Sequence, residues 1–273
     1  MAIKFSMCNE FCQGWDFAAA CRLAADCGYD GIEVAPFTLS DSVLDVSPKE
    51  RAKLRDEAHE AGLEVVGLHW LLVKPEGLYI NHPDADMRKR TAAYLEAEID
   101  FCADLEGTRM IVGSPKQRNV LEGDTYEAAW ERTVEVFKQL APHAHDRGVC
   151  LCIEALTTKE TNFITTAEEA RRLVQAVGHP AFQMMLDVKA MCGDKEPMPD
   201  IIRKSARHVK HVHANDANRN GPGFGDTDYR PIVAALKEIR YSGYVSVEVF
   251  EFAPGPEKIA RESIRYLKEV FGK

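Results

Sequence analysis

The chain has no apolar run approaching the roughly 18–20 residues needed to cross a bilayer, so no membrane span is expected. It also has no cluster of Lys and Arg: 34 basic residues stand against 43 acidic ones, for a formal charge of −9. Phosphate backbones are held chiefly by clustered cations, so a nucleic-acid partner is not expected either. No Pro/Gly/Ser-rich linker or low-complexity tract divides the 273 residues, and the expectation is one domain spanning 1–273. The opening residues turn polar at Asn9 and Glu10 before an apolar signal core builds up, which makes the cytoplasm the expected location. The eight cysteines are scattered, and Cys8 and Cys12 lack a second Cys/His pair at zinc-ribbon distance. They read as reduced thiols, with Cys8 and Cys12 as small buried hydrophobes. Cys150 and Cys152, two apart in an apolar run, are expected on one face of a strand.

What the chain does have is alternation. Hydrophobic residues at 45% and charged residues at 28% provide the apolar surface for a sizeable core. Short apolar runs at residues 3–7, 31–34, 64–69, 108–112, 149–153, 182–186, 209–213 and 244–249 alternate with longer segments of helical period. Eight such units without a break predict an α/β fold, a single-domain (β/α)8 TIM barrel, for which about 250 residues suffice. An open doubly wound sheet would carry a glycine-rich loop after its first strand, and residues 7–12 contain no glycine. Ala20, Leu23, Ala24 and Cys27 share one helical face, as do Ile232, Leu236 and Ile239, and both faces are expected against the barrel. Ser47 with Glu50, and Thr166 with Glu169, read as capping boxes, and Gly178 closes the second of these helices. Residues 27–33 and 239–245 each pass from a helix through Tyr-x-Gly into a strand, an internal echo of one joint.

In such barrels the carboxyl ends of the strands form the active face. Glu154, Asp187 and His213 close the fifth, sixth and seventh apolar runs, and Glu248 lies in the eighth. A single strand-end carboxylate is often only an ion-pair partner, and a lone His often satisfies a core hydrogen bond. Three carboxylates at one mouth, however, repel one another unless a cation or protons offset their charge. An oxygen-rich set with one imidazole suits a single Mn²⁺, or Mg²⁺ or Co²⁺, better than a structural zinc. His211 lies two residues before His213 and on the same side of the strand, where it either supports the site or fills the core. His69 and Trp70 close the third run; they are expected to line a sugar pocket, with core packing as the alternative. The glycine-rich segment 221–229 follows the seventh run, where barrels often bind phosphate, but Asp226 and Asp228 within it would repel phosphate.

These residues resemble the ketose 3-epimerases of the xylose isomerase-like barrel superfamily, which include D-tagatose and D-psicose 3-epimerases. The resemblance spans most of the chain. It is carried by residues 153–163, Leu186-Asp187, His211-Val212-His213 and Val247-Glu248-Val249-Phe250. It implies a metal held by Glu154, Asp187, His213 and Glu248, and a small carbohydrate substrate chelating it through carbonyl and hydroxyl oxygens. It further implies proton transfer between Glu154 and Glu248 through an enediolate. Glu160, Arg219 and Phe250 fall at substrate-contacting positions, and a homo-oligomer, dimer or tetramer, is implied as well. The chain departs from the family three residues beyond Asp187, where Ala190 stands in place of the usual His, with Lys189 beside it. Lys189 is a residue able to bind a more anionic or more oxidised substrate. The expected activity is isomerisation or epimerisation of a ketose or related keto-polyol. The alternative is dehydration or lysis of a keto-inositol or 3-keto-glycoside at the same site. Two further readings are a DNA-repair endonuclease, which needs more metal-binding histidines and a basic groove, and a non-catalytic, metal-stabilised binding protein.

Overall fold

The strands read as near-continuous apolar runs because each is covered on both faces, and the computed structural model, which describes residues 3–273, closes them into one parallel barrel. They are β1 (Lys4–Cys8), β2 (Gly31–Val34), β3 (Glu64–Leu68), β4 (Arg109–Val112), β5 (Cys150–Ile153), β6 (Phe182–Asp187), β7 (Val209–Ala214) and β8 (Tyr244–Val247). Each strand pairs with the next, and β8 returns to β1 with Lys4 opposite Tyr244 and Met7 opposite Val247. The expected eight-unit barrel is therefore the observed fold. The helices are α1 (Phe17–Cys27), α2 (Pro48–Glu60), α3 (Ala85–Asp104), α4 (Tyr126–Asp146), α5 (Ala167–Val177), α6 (Val188–Cys192), α7 (Met198–Ser205), α8 (Tyr229–Glu238) and α9 (Pro256–Phe271). Among the described residues, no helix is long and apolar enough to cross a membrane.

The local signals act as their chemistry requires. Ser47 and Glu50, and likewise Thr166 and Glu169, exchange hydrogen bonds in reciprocal capping boxes at the starts of α2 and α5. The echoed joints share a backbone: Gly28 and Arg240 both take left-handed conformations, at φ 84° and 57°. Most of the apolar surface lies between the barrel and its helices, where Phe5 meets Phe271 of α9 with ring centroids 5.2 Å apart. Phe182 meets Phe137 of α4 at 4.6 Å, and burial of each such ring contributes about 1.5–3 kcal/mol.

The barrel interior is different. Its apolar content includes a small cluster of Ile111, Cys152 and Met185, with Cys150 packed alongside and its sulfur 3.9 Å from that of Cys152. Opposite this cluster the lumen is polar: Ser6 bonds Ser246, Ser246 Oγ lies 3.0 Å from His211 Nε2, and the same nitrogen lies 2.7 Å from Glu33 Oε2. His211 on β7 and Glu33 on β2 are not neighbours in the sheet, so this contact spans the lumen.

Two boundaries differ from expectation in a way that serves the mouth. The eighth strand ends at Val247 rather than at 249, because the amide of Val249 leaves the ladder and donates to Glu10 Oε1 at 2.9 Å. The short helix α6 begins directly after β6, capped by the Asp187 side chain, whose Oδ1 accepts from the Ala190 amide at 2.6 Å.

Candidate metal centre

Glu154 follows the last residue of β5, Asp187 ends β6, His213 lies near the end of β7 and Glu248 follows β8. All four are at most 5% exposed, and they present one nitrogen and three oxygens within 4.8 Å of one another. That spacing fits one cation, since bonds of about 2.0–2.6 Å place two ligands of the same ion no more than roughly 5 Å apart.

Each side chain is held by a distinct device. Gly113, one residue beyond β4, leaves space for Glu154: a Cβ there would lie 1.9 Å from Glu154 Oε2, an impossible contact. The buried Arg118 donates to the Glu154 carbonyl at 2.8 Å and to the Val112 carbonyl at 3.2 Å, tying the ends of β4 and β5 together. Asp187 receives Asn215 Nδ2 on its second oxygen at 2.5 Å. His213 lies between two carboxylates, with Nδ1 3.0 Å from Glu248 Oε2 and Nε2 2.9 Å from Glu33 Oε1. Trp70 Nε1 donates to the other Glu248 oxygen at 2.7 Å.

The electrostatics show what the cluster is suited to hold. Burial pushes the Glu154 carboxyl well above the usual range, and the charges of Glu248 and Asp187 push it further. Asp187 is also raised, by burial first; the Lys189 ammonium pulls against that shift. Burial would raise Glu248 too, but His213 outweighs it and holds this carboxyl down at about 2. Three carboxylates in so small a volume cannot all ionise unaided, and a divalent cation is the group that this donor set fits.

A supporting layer from the opposite strands completes the mouth. Glu33 bridges His211 at 2.7 Å and His213 at 2.9 Å, and lies 3.7 Å from His69. Its carboxyl would be raised by burial, but His211 and His213 hold it well below its ordinary value. A carboxylate behind an imidazole fixes which ring nitrogen carries the proton and so leaves the other free to bind a cation. Sequence reasoning missed Glu33, although it carried the signal used for the others, a carboxylate near the end of an apolar run. Glu10, Asn215 and Arg118 were also missed, and loop residues of this kind carry no periodic signal.

The remaining expectations divide. His69 is not brought to a sugar pocket: its ring is fully enclosed, with Nε2 3.0 Å from Glu10 Oε2 and Nδ1 3.7 Å from Glu33 Oε1. Trp70 does reach the mouth, stacked between Phe37 and Phe250 with centroids 5.6 and 6.1 Å away. His211 supports Glu33 and lies 5.1 Å from the His213 ring, centroid to centroid. Lys189 is buried, with Nζ 2.6 Å from Glu160 Oε1 and 3.8 Å from the Phe250 ring centroid. Arg219 lies near the other substrate-side residues but is half exposed, 3.3 Å from Glu251 and 5.3 Å from the Phe250 centroid.

A closed, parallel eight-stranded barrel is the architecture of the xylose isomerase-like TIM barrels. The sequence profile of that family matches residues 21–270, and the chain belongs to it. Within the family it is similar to the D-psicose 3-epimerase of Ruminiclostridium cellulolyticum, 28% identical over 243 residues that cover 87% of this chain and 80% of that one. The crystal structure of D-psicose 3-epimerase with D-tagatose from Clostridium cellulolyticum H10 superposes with a TM-score of 0.87 at 22% identity, covering 98% and 99% of the two chains. The 3-keto-D-glucoside 4-epimerase of E. coli superposes at 0.85 with 19% identity, covering 98% and 99%. At these identities the superpositions establish the shared fold.

Proposed function

We propose that this protein is a divalent-metal-dependent epimerase or isomerase of a ketose or related keto-polyol. The observation that carries the reading is the convergence of Glu154, Asp187, His213 and Glu248 within 4.8 Å at the carboxyl face of the barrel. The names of the similar proteins support it. Mn²⁺ suits the three oxygens and one nitrogen best, with Mg²⁺ or Co²⁺ as substitutes. When bound, the cation supplies positive charge that polarises the substrate carbonyl and offsets the charge developing as the neighbouring carbon loses its proton.

The chain's own residues do the rest. Glu154 and Glu248 come from strands that are not adjacent, so they approach a bound sugar from different sides. One takes the proton from the carbon beside the carbonyl, and the other returns a proton to the opposite face, which inverts that centre. The Phe37–Trp70–Phe250 stack, anchored on Glu248 through Trp70 Nε1, shields the site from water, while Glu160 and Lys189 present an acceptor and a donor to the sugar's hydroxyls.

A second reading, dehydration of a keto-polyol, draws on Lys189. An ammonium held beside Glu160 can give a proton to a leaving hydroxyl. One experiment tests both readings: ketoses and keto-inositols incubated with the Mn²⁺-loaded protein in D₂O and followed by NMR. Deuterium next to the carbonyl with conserved mass supports epimerisation, and an absorbing enone supports dehydration. Absence of exchange with every keto-sugar overturns both.

A further inference from the structure

A groove of about 810 Å³, open on one side, lies beside the four-residue cluster and not upon it. None of the four candidate ligands lines it. Its walls come from the segments that follow β5, β6 and β7, and it meets the mouth at Glu160, Lys189 and Arg219. That volume falls in the upper part of the range of about 300–1,000 Å³ that encloses drug-sized ligands. A single ketose held at the cluster leaves the groove unfilled, because none of the cluster's residues, and neither Trp70 nor Phe250, lines it.

The lining indicates what would fill it. Four threonines contribute hydroxyls, and four basic side chains face four acidic ones, so the groove has no net charge to recruit a phosphate. No aromatic residue, and no Leu, Ile or Val, lines it, which disfavours an acyl or aryl group. Interleaved donors and acceptors of both signs match a neutral, polyhydroxylated group. The floor is kept low by Ala190 and Gly193. A Cβ on Gly193 would meet the Ala190 carbonyl oxygen and Thr157 Cγ2 at 3.4 Å, ordinary contact, so this position tolerates a side chain, and a large one would extend into the groove.

We infer that the groove is a second sugar-binding subsite and that the substrate is a glycosylated keto-sugar, its keto unit at the cluster and its second ring in the groove. The inference rests on the keto-sugar reading of the cluster. The Lys189–Glu160 pair stands at the junction, where both side chains can reach the linkage between the two units.

The test compares D-fructose with 6-O-glucosyl-D-fructose, which keeps the carbonyl and its neighbouring carbons free. Deuterium exchange reports turnover and calorimetry reports binding. The wild-type protein is expected to show at least a tenfold higher kcat/KM for the disaccharide. Gly193→Phe is expected to remove that advantage while leaving D-fructose within twofold; Thr158→Trp plugs the groove from the other wall should the first variant fold poorly. Preference for the free ketose, equal loss for both sugars, or no loss for the disaccharide overturns the subsite. Disaccharide binding that Gly193→Phe abolishes, without exchange from any sugar, upholds the subsite and overturns the epimerase reading. Neither binding nor exchange overturns both.

Discussion

The mouth of the barrel has two halves built from the same residue types to opposite ends. Strands β5 to β8 present Glu154, Asp187, His213 and Glu248 to a common point; β1 to β3 and the turns after them contribute Glu10, Glu33 and His69. Carboxylates in both halves are buried, yet Glu154, Asp187 and Glu10 are pushed up whereas Glu248 and Glu33 are pushed down. The cause is what each faces. In the donor half, Glu154 and Asp187 face other carboxylates, which an added cation would relieve, whereas Glu248 is already offset by His213. In the supporting half, Glu33 faces the imidazoles of His211 and His213, so its charge is offset within the fold. One half is arranged to receive charge and the other to hold the receiving ring in place.

The comparison breaks most visibly if the donor half is neutralised. Glu154→Gln keeps the shape but removes one anionic ligand and one candidate acid, and is expected to lower turnover by at least about 10³-fold. Metal analysis should find less than a tenth of the wild-type content; full occupancy with normal rates would remove Glu154 from the site. A smaller effect is expected from the supporting half. Glu33→Gln retains a hydrogen-bonding shape beside His213 without the charge, and is expected to weaken metal affinity by about 10–100-fold. Competition against a chelating dye measures this, and unchanged affinity would mean that Glu33 serves the fold alone.

Glu98 sharpens the contrast with the smallest effect. It is fully buried on α3, neither oxygen has a hydrogen-bond partner, and burial alone pushes its carboxyl well above the ordinary value. It shows what Glu33 would be without its histidines. Because its folded-state pKa is raised, its contribution to stability is fully present below the unfolded value near 4.5 and is lost as pH rises toward the folded one. Across that window the wild type loses up to about 1.4 kcal/mol per pH unit. Glu98→Leu removes this dependence and is expected to be more stable at neutral pH by on the order of 1–3 kcal/mol. Urea unfolding at pH 5 and pH 8 checks both the slope and its disappearance.

The donor half was legible because each of its members ends or follows an apolar run, and strand ends of a parallel barrel share one face. Lys189 was legible as a departure from a family pattern, though not its place between Glu160 and the Phe250 ring. The supporting half was less so. His69 shows the signal of a substrate-lining residue but is fully enclosed against Glu10, 59 residues earlier in the chain. Glu10 in turn takes the amide of Val249, a partner 239 residues away that no local pattern announces.

Periodicity, caps and strand-end chemistry therefore determined the barrel, its register of units and the four residues at its carboxyl face, because all of these follow from the spacing of side chains along a short stretch. Tertiary structure alone decided which carboxylates face imidazoles and which face one another, and where the groove opens. Those are matters of proximity across the lumen and between loops, and both the sign of a buried group's shift and the shape of a cavity depend on such neighbours.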